Sequence, residues 1–204
     1  MTGVTSRVTG SGRTTGKAGQ AVGRLALRTV VGATMVAHGV KHGRSLDGTA
    51  GWFGSIGFRQ PRAQAVASSV VEVGAGASLI LGAATPVASS AVVGTMVVAA
   101  RSVHQPNGFF ITSEGYEYVL NLGAAAVAVA ALGPGRYSVD NMLGLDNRLT
   151  SAQRGMLALG LGVLAGAGQL ALFWRKPAPN GVDEPTAAVP STTAAVPSTS
   201  EQSS

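Results

Sequence analysis

Five stretches of roughly 20 mostly apolar residues lie at 21–40, 63–83, 86–103, 117–133 and 155–174. A transmembrane helix needs about 20 such residues, because the hydrocarbon core of a bilayer is about 30 Å thick and a helix rises about 1.5 Å per residue. The chain is 46% hydrophobic and only 12% charged, whereas about a quarter of the residues in an ordinary soluble domain are charged. The sequence therefore predicts an all-α integral membrane protein that crosses the lipid bilayer several times.

The chain contains no cysteine, which excludes disulfides, iron–sulfur clusters and thiolate nucleophiles carried by the chain itself. Any redox chemistry must therefore come from a bound cofactor or a partner protein. The net charge of +6 is expected to lie near lipid headgroups rather than on nucleic acid, because the basic residues are not interleaved with aromatic residues that stack on bases. Eight Lys and Arg residues are predicted to lie on the side of the membrane that holds the N-terminus, and seven on the opposite side. The positive-inside rule therefore barely orients the chain.

The predicted spans divide the chain into four regions. Residues 1–20 form a polar leader predicted to be disordered, 21–142 hold four spans, 143–176 hold an interfacial segment and a fifth span, and 177–204 form a disordered tail. The tail repeats TAAVPST, which contains proline and nothing large to bury. We expect a four-helix transmembrane bundle followed by a fifth, C-terminal transmembrane helix.

Two local patterns refine the ends of the spans. Thr150 and Gln153 have the spacing of a capping box and predict the start of the fifth helix. Arg24 and Arg28 lie in the opening turns of the first span, where long side chains are expected to reach the headgroups.

Glu72 lies at the midpoint of the second span. An ionised group at that depth costs roughly 2.5–3.5 kcal/mol, so the carboxyl is expected to be neutral, paired or facing a polar cavity. One interpretation is a functional site. The other is a hydrogen-bonded clamp between helices that approach closely at Gly74 and Gly76. A clamp, too, requires a partner on another helix.

His38 and His42 are four residues apart at the end of the first span. If the helix continues through Gly39 and Gly43, both imidazoles lie on one helical face. Three interpretations stay open: a metal or haem site completed by His104, hydrogen bonds to a quinone carbonyl, or histidines that simply lie beside headgroups.

The stretch VHQPNGFFITSEGYEY, residues 103–118, is predicted to be the loop between the third and fourth spans. Glu117 and Asn121, spaced i and i+4, predict a polar edge on the next helix that faces the bundle. The loop's four aromatic residues fit a belt at the membrane surface; they are Phe109, Phe110, Tyr116 and Tyr118.

A family resemblance rests on five segments that occur in a fixed order between residues 24 and 142. They are HGVKHG, GTAGWFGSIGF, VVEVGAGASLILGAATPVAS, HQPNGFFITSEGYEYVLNLG and GPGRYSVD. Together these segments resemble the DoxX family of small bacterial membrane proteins. The family is a four-helix membrane bundle. Its relatives include a subunit of archaeal thiosulfate:quinone oxidoreductase and a mycobacterial membrane protein that assembles with superoxide dismutase and a thiosulfate sulfurtransferase. The resemblance implies a multi-pass protein of the bacterial plasma membrane with a role in oxidoreduction or oxidative-stress defence.

The resemblance also marks individual positions, without giving them mechanistic roles. They are His38, Gly39, Lys41, Glu72, Gly76, His104, Asn107, Gly108, Gly115, Tyr116, Glu117, Gly133, Gly135, Ser138 and Asp140. Among these, the candidate catalytic residues are Glu72, His104 and Glu117. The candidate cofactor-binding residues are His38, Lys41, Asn107 and Tyr116; no metal ligand set is proposed. The chain departs from the family in its fifth apolar stretch and its tail, so family topology is not carried past about residue 145.

Three functions follow as hypotheses. In the first, the chain is a redox-complex subunit that binds a quinone, with His38 or His104 hydrogen-bonding a carbonyl and Glu72 or Glu117 relaying protons. In the second, it is a non-catalytic scaffold that recruits soluble oxidoreductases and could also form a homo-oligomer. In the third, the least favoured, it is a small transporter with Glu72 lining a polar path.

Overall fold

The computed structural model describes residues 11–146 and 148–177. This part of the chain is helical, and its one β-bridge, between Phe58 and Trp174, is isolated. The helices are α1 (Ser11–Arg44), α2 (Leu46–Ser55), α3 (Pro61–Leu81), α4 (Thr85–Ala99), α5 (Glu117–Leu132), α6 (Val139–Met142) and α7 (Ser151–Phe173). A π-helical turn (Ala100–His104) and a 3₁₀ turn (Gln105–Asn107) continue α4.

Helix boundaries follow from local chemistry. α3 begins with Pro61, whose ring suits the first turn, and ends at Gly82, whose φ of 66° is the left-handed cap conformation that glycine adopts without strain. α7 begins at the predicted capping box: the Thr150 side chain accepts from the Gln153 N–H, and the Gln153 side chain accepts from the Thr150 N–H. That prediction is confirmed.

Three helices within the described ranges are long and apolar enough to cross a bilayer: α3, α4 with its continuation to Asn107, and α7. α5 is apolar, but its 16 residues extend only about 24 Å. α1 has 34 residues and is not among the three. The prediction of an all-α protein with membrane-spanning helices is therefore supported, whereas a four-helix transmembrane bundle with a fifth span is supported only in part. α1 also includes residues 11–20, which were predicted to belong to a disordered leader; residues 1–10 and 178–204 lie outside the described residues.

The long helices alternate between two ends of the molecule. We call the end that holds α2, the 105–116 loop and Trp174 the upper end, and the end that holds the 82–84 turn and α6 the lower end. α1 and α3 are antiparallel and touch at Gly32 and Gly76: a Cβ on Gly76 would lie 2.5 Å from the Gly32 carbonyl oxygen. Small residues therefore set this helix spacing.

α4 lies at the centre of the helices, between α3, α5 and α7. The main core joins α1, α3, α4 and α5 around Met35, Leu79, Val92 and Val129. α7 packs on α4 through Gly162 and Gly166, where added Cβ atoms would meet α4 backbone and valine side chains at 3 Å or less. Its other faces present large apolar side chains, such as Leu164, 71% exposed, as expected of a helix in contact with lipid.

Candidate functional site

A cavity of about 580 Å³ opens at the upper end, among α1, α2, α3, the end of α4 and the start of α5. Four of the predicted site residues line it together: His38, Lys41, Glu72 and His104. Residues 34 positions apart in the chain, such as His38 and Glu72, meet here because α1 and α3 are antiparallel. His38 and Lys41 are exposed at its mouth, whereas Glu72 is buried at 3% exposure.

The Glu72 carboxyl has one satisfied oxygen and one free oxygen. Oε1 accepts a hydrogen bond from the Ser68 hydroxyl at 2.5 Å and lies 3.4 Å from His42 Nδ1. His42 Nδ1 is also 3.1 Å from the Ser68 hydroxyl oxygen. Oε2 is buried and has no hydrogen-bond partner among the described residues. Glu72 thus has the expected partner on another helix, but half of its hydrogen-bonding capacity is left to whatever enters the adjoining space.

His38 and His42 share one helical face, as predicted, because α1 continues to Arg44. Their ring centroids are 6.4 Å apart, and the His42 ring lies 6.3 Å from that of Trp52 in α2. Within the described residues, no three His, Cys, Asp or Glu side chains come close enough to hold a metal ion.

His104 is oriented by the loop that follows it. Its Nδ1 lies 2.7 Å from the Glu114 carbonyl oxygen; because a carbonyl can only accept, Nδ1 carries the proton. In the neutral ring Nε2 is therefore an acceptor. A neutral His104 can accept a hydrogen bond from a hydroxyl in the cavity but cannot donate one to a carbonyl.

Asn107, Tyr116 and Glu117 do not line this cavity. Glu117 Oε2 accepts a hydrogen bond from the Ile111 N–H at 3.0 Å, so the carboxylate holds the preceding loop against the start of α5.

The other two residues contact the loop or a separate groove. Asn107 donates weakly to the carbonyls of Val103 and Glu114 at 3.4 Å. The Tyr116 ring packs edge-on against a loop phenylalanine and borders an apolar groove of about 330 Å³ among α4, α5 and α7. Asn121 is exposed, so the predicted polar edge on α5 does not face the bundle.

Among the cavity residues that were not predicted as site residues are two aromatic residues, Trp52 and Tyr118. Tyr118 was assigned to the aromatic belt, and its alternation with Tyr116 gives no sign of which ring faces inward. Trp52 lies in α2, a short helix between two predicted spans that packs on α3.

A second cavity, of about 420 Å³, lies beside the first, among α2, α3, α4 and α7. Six residues line both cavities: His42, Trp52, Glu72, Thr95, Ala99 and Val103. The Glu72 carboxyl therefore lies where two adjoining cavities meet.

The lower end holds a buried charge network. Arg28, predicted to reach the headgroups, is only 3% exposed and donates to the Pro134 carbonyl at 2.5 Å and to the Tyr137 carbonyl; the prediction was wrong because these carbonyls and Asp140 offer partners inside the protein. Asp140 accepts from the N–H of Ala84 at 2.7 Å, and from the N–H and hydroxyl of Thr85 at 2.9 and 2.8 Å.

The helical fold, the apolar outer faces and the polar cavity define a membrane-associated helical protein with a buried carboxyl as its principal candidate site residue. Residues 23–105 match the family model DoxX, and this match supports membership of the DoxX family. The resemblance noted in the sequence is thereby confirmed over these residues, which include His38, Glu72 and His104. No curated protein and no solved structure matches the chain.

Proposed function

We propose that this protein is the membrane subunit of an oxidoreductase system and that it binds a quinone in the upper cavity. The observation that carries the proposal is the free, buried Oε2 of Glu72 beside a cavity of about 580 Å³. The volume falls in the range of small-molecule sites, which are mostly apolar with a few placed polar groups.

The chemistry of the lining fits a quinone headgroup. A quinone offers two carbonyl oxygens that accept hydrogen bonds and that each take up a proton on reduction. Lys41 and Tyr118 can donate to such oxygens, while neutral His104 can accept from the hydroxyl of the reduced form. His42 and Ser68 hold one oxygen of Glu72 in place, which leaves the other free to give or take a proton.

Electrons must reach the quinone from a bound cofactor or a partner protein, because the chain has no cysteine with which to bind a sulfur substrate covalently or to ligate an iron–sulfur cluster. A soluble oxidoreductase docked on the membrane surface is the partner class we propose. The loop tip offers one contact surface for it: Phe109, Phe110 and Ile111 are 42%, 65% and 50% exposed.

Quinone titration of the protein in nanodiscs tests the binding site. Glu72→Leu, which keeps the volume but removes both oxygens, should weaken binding about 10- to 100-fold, the cost of leaving a buried ligand oxygen unpaired. Glu114→Leu is the matched control: Glu114 is exposed on the loop and its carboxylate does not line the cavity. If the two variants bound quinone with equal affinity, the proposal that quinone binds beside Glu72 would be refuted.

Quinone reduction by the protein purified alone, with thiosulfate as electron donor, separates an enzyme subunit from a scaffold. Activity that Glu72→Gln abolishes would support proton relay by the carboxyl, since glutamine cannot carry the proton. If neither the wild type nor the Glu72→Gln variant reduced quinone, while soluble oxidoreductases still co-purified with the protein from membranes, the result would favour a scaffold whose partners carry out the chemistry.

A further inference from the structure

A stripe of polar residues runs along α3 from the upper end to Glu72. Gln60, Gln64, Ser68 and Glu72 are each four residues apart, which places them on one helical face. Gln60 is the exposed N-cap of α3, Gln64 is 6% exposed, Ser68 is half-buried and Glu72 is 3% exposed. The stripe thus extends about 18 Å from the helix start to the buried carboxyl. We call these four residues the α3 stripe.

All four residues of the α3 stripe line the second cavity, and only Glu72 among them also lines the first. Gln169 of α7 faces the stripe and donates to the Gln64 side-chain oxygen at 2.8 Å. Ser102 of α4 lines the same space. The opposite wall is apolar, with Phe53, Val98 and Phe173.

Polar side chains are costly within a membrane-spanning helix unless they meet partners or water. Gln64 is buried and Gln169 is half-buried, and the hydrogen bond between them uses one amide hydrogen and one carbonyl oxygen of the four amide hydrogens and two carbonyl oxygens that the two side chains carry. Glu72 Oε2 has no hydrogen-bond partner in the part of the chain that the structure describes. A cavity of about 420 Å³ beside these groups is large enough for several water molecules, each of which needs two to four polar partners.

We propose that the α3 stripe lines a water-filled path through which the Glu72 carboxyl exchanges protons with the aqueous phase at the upper end, separately from the cavity that holds the ligand. In each exchange an O–H bond of a water-borne hydronium breaks as the O–H bond to Glu72 forms, and no electron moves. His42 from α1, and Lys41, His104 and Tyr118 around the first cavity, face the carboxyl from the other side.

This arrangement gives the two cavities different tasks. After Glu72 gives its proton to a ligand that electrons from elsewhere have reduced, its carboxylate must be reprotonated. Reprotonation through the ligand's own cavity would require the ligand to leave. A path behind Glu72 allows reprotonation while the ligand stays. The inference rests on the proposed function for the use of the proton, but its test measures hydration alone.

The cysteine-free chain allows a direct test by single cysteines in nanodiscs. Gln64→Cys and Ser68→Cys lie on the stripe, while Val66→Cys and Val70→Cys lie two residues further along the same helix at outward positions that are 43% and 66% exposed without lipid. The probe is 2-sulfonatoethyl methanethiosulfonate, a small charged reagent. It is attacked by thiolates, which form only in water. The stripe cysteines should react at least 10-fold faster than the outward pair. Equal, slow rates at all four positions would refute a hydrated stripe.

A second pair of variants tests whether the path is separate. In the Ser68→Cys protein, Gln64→Leu places an apolar side chain between the reporter and the upper surface and should slow labelling at least 10-fold, whereas Val66→Leu should not. Since Gln64→Leu also removes a contact with Gln169, the double change Gln64→Leu with Gln169→Leu checks that packing is not the cause. Unchanged labelling would mean that water reaches Ser68 from the first cavity, which would refute a separate path.

The quinone titration distinguishes failure of this inference from failure of the proposed function. A dry stripe in a protein that binds quinone would overturn the proton path and leave the proposed function standing. A hydrated stripe in a protein that binds no quinone would overturn the use of the first cavity and leave the water path standing.

Discussion

Asp140 should contribute more to stability than its short helix suggests, because it joins α6 to the turn between α3 and α4. Its carboxylate accepts three hydrogen bonds, from Ala84 N–H, Thr85 N–H and the Thr85 hydroxyl, and it interacts electrostatically with the buried Arg28. It is itself only 4% exposed. Removing it would leave these three donors without their acceptor and would take away the nearby negative charge that favours the buried Arg28 guanidinium.

The magnitude follows from these partners. A hydrogen bond to a charged group contributes about 1.5–3 kcal/mol, but the three bonds to Asp140 do not add in full, since the Thr85 hydroxyl can rotate to another acceptor and water can enter. We therefore expect Asp140→Ala to lower the free energy of unfolding by about 3–5 kcal/mol. Asp140→Asn keeps one acceptor oxygen and should cost less.

Unfolding of the detergent-solubilised protein, followed by tryptophan fluorescence during a denaturant titration, measures the change. Asp47→Ala is the matched control, because Asp47 pairs with Arg62 at the surface with its side chain 88% exposed, and exposed ion pairs contribute little. An Asp140→Ala protein as stable as the Asp47→Ala protein would show that the lower-end network does not hold the helices together.

Two further changes probe helix packing and capping. Gly76→Ala should destabilise by about 1–3 kcal/mol, because its Cβ would meet α1 backbone at 2.5 Å, whereas Gly74→Ala, with nothing within 4 Å, should be neutral or stabilising by up to about 1 kcal/mol; the reverse order in a thermal unfolding series would contradict the close α1–α3 contact. Thr150→Ala removes the capping box of α7 and should cost about 1 kcal/mol, with rescue by Thr150→Ser; no loss, or no rescue, would show that the cap is not what begins the helix.

The sequence predicted the parts of the molecule that depend on composition and local spacing. Apolar stretches predicted the long helices, the spacing of His38 and His42 predicted their shared face, and the depth of Glu72 predicted a partner on another helix. Each of these depends on helix periodicity or on the cost of a charge in lipid, both of which can be read along the chain.

What could not be predicted depends on which side of a helix faces which neighbour. The i, i+4 spacing of Gln60, Gln64 and Ser68 was present in the sequence, but the same spacing is typical of a solvated helix face. Arg28 looked like an interfacial arginine because its partners are carbonyls and a carboxylate more than 50 residues away. Glu117 looked like a residue that faces the bundle because the loop whose backbone it binds has no periodic pattern.

The two ends of the molecule differ in how the helices contact one another. At the lower end, Arg28 and Asp140 hold the turn between α3 and α4, the chain after α5 and α6 together with charge-assisted hydrogen bonds. At the upper end, the helices part around two cavities that share Glu72. At the upper end, the end of α7 is also held, by hydrogen bonds from the Arg59 N–H to the Phe173 carbonyl and from the Trp174 indole to the Ile56 carbonyl. We therefore expect any helix movement that admits a ligand to occur at the rim of the first cavity, near His38 and His104.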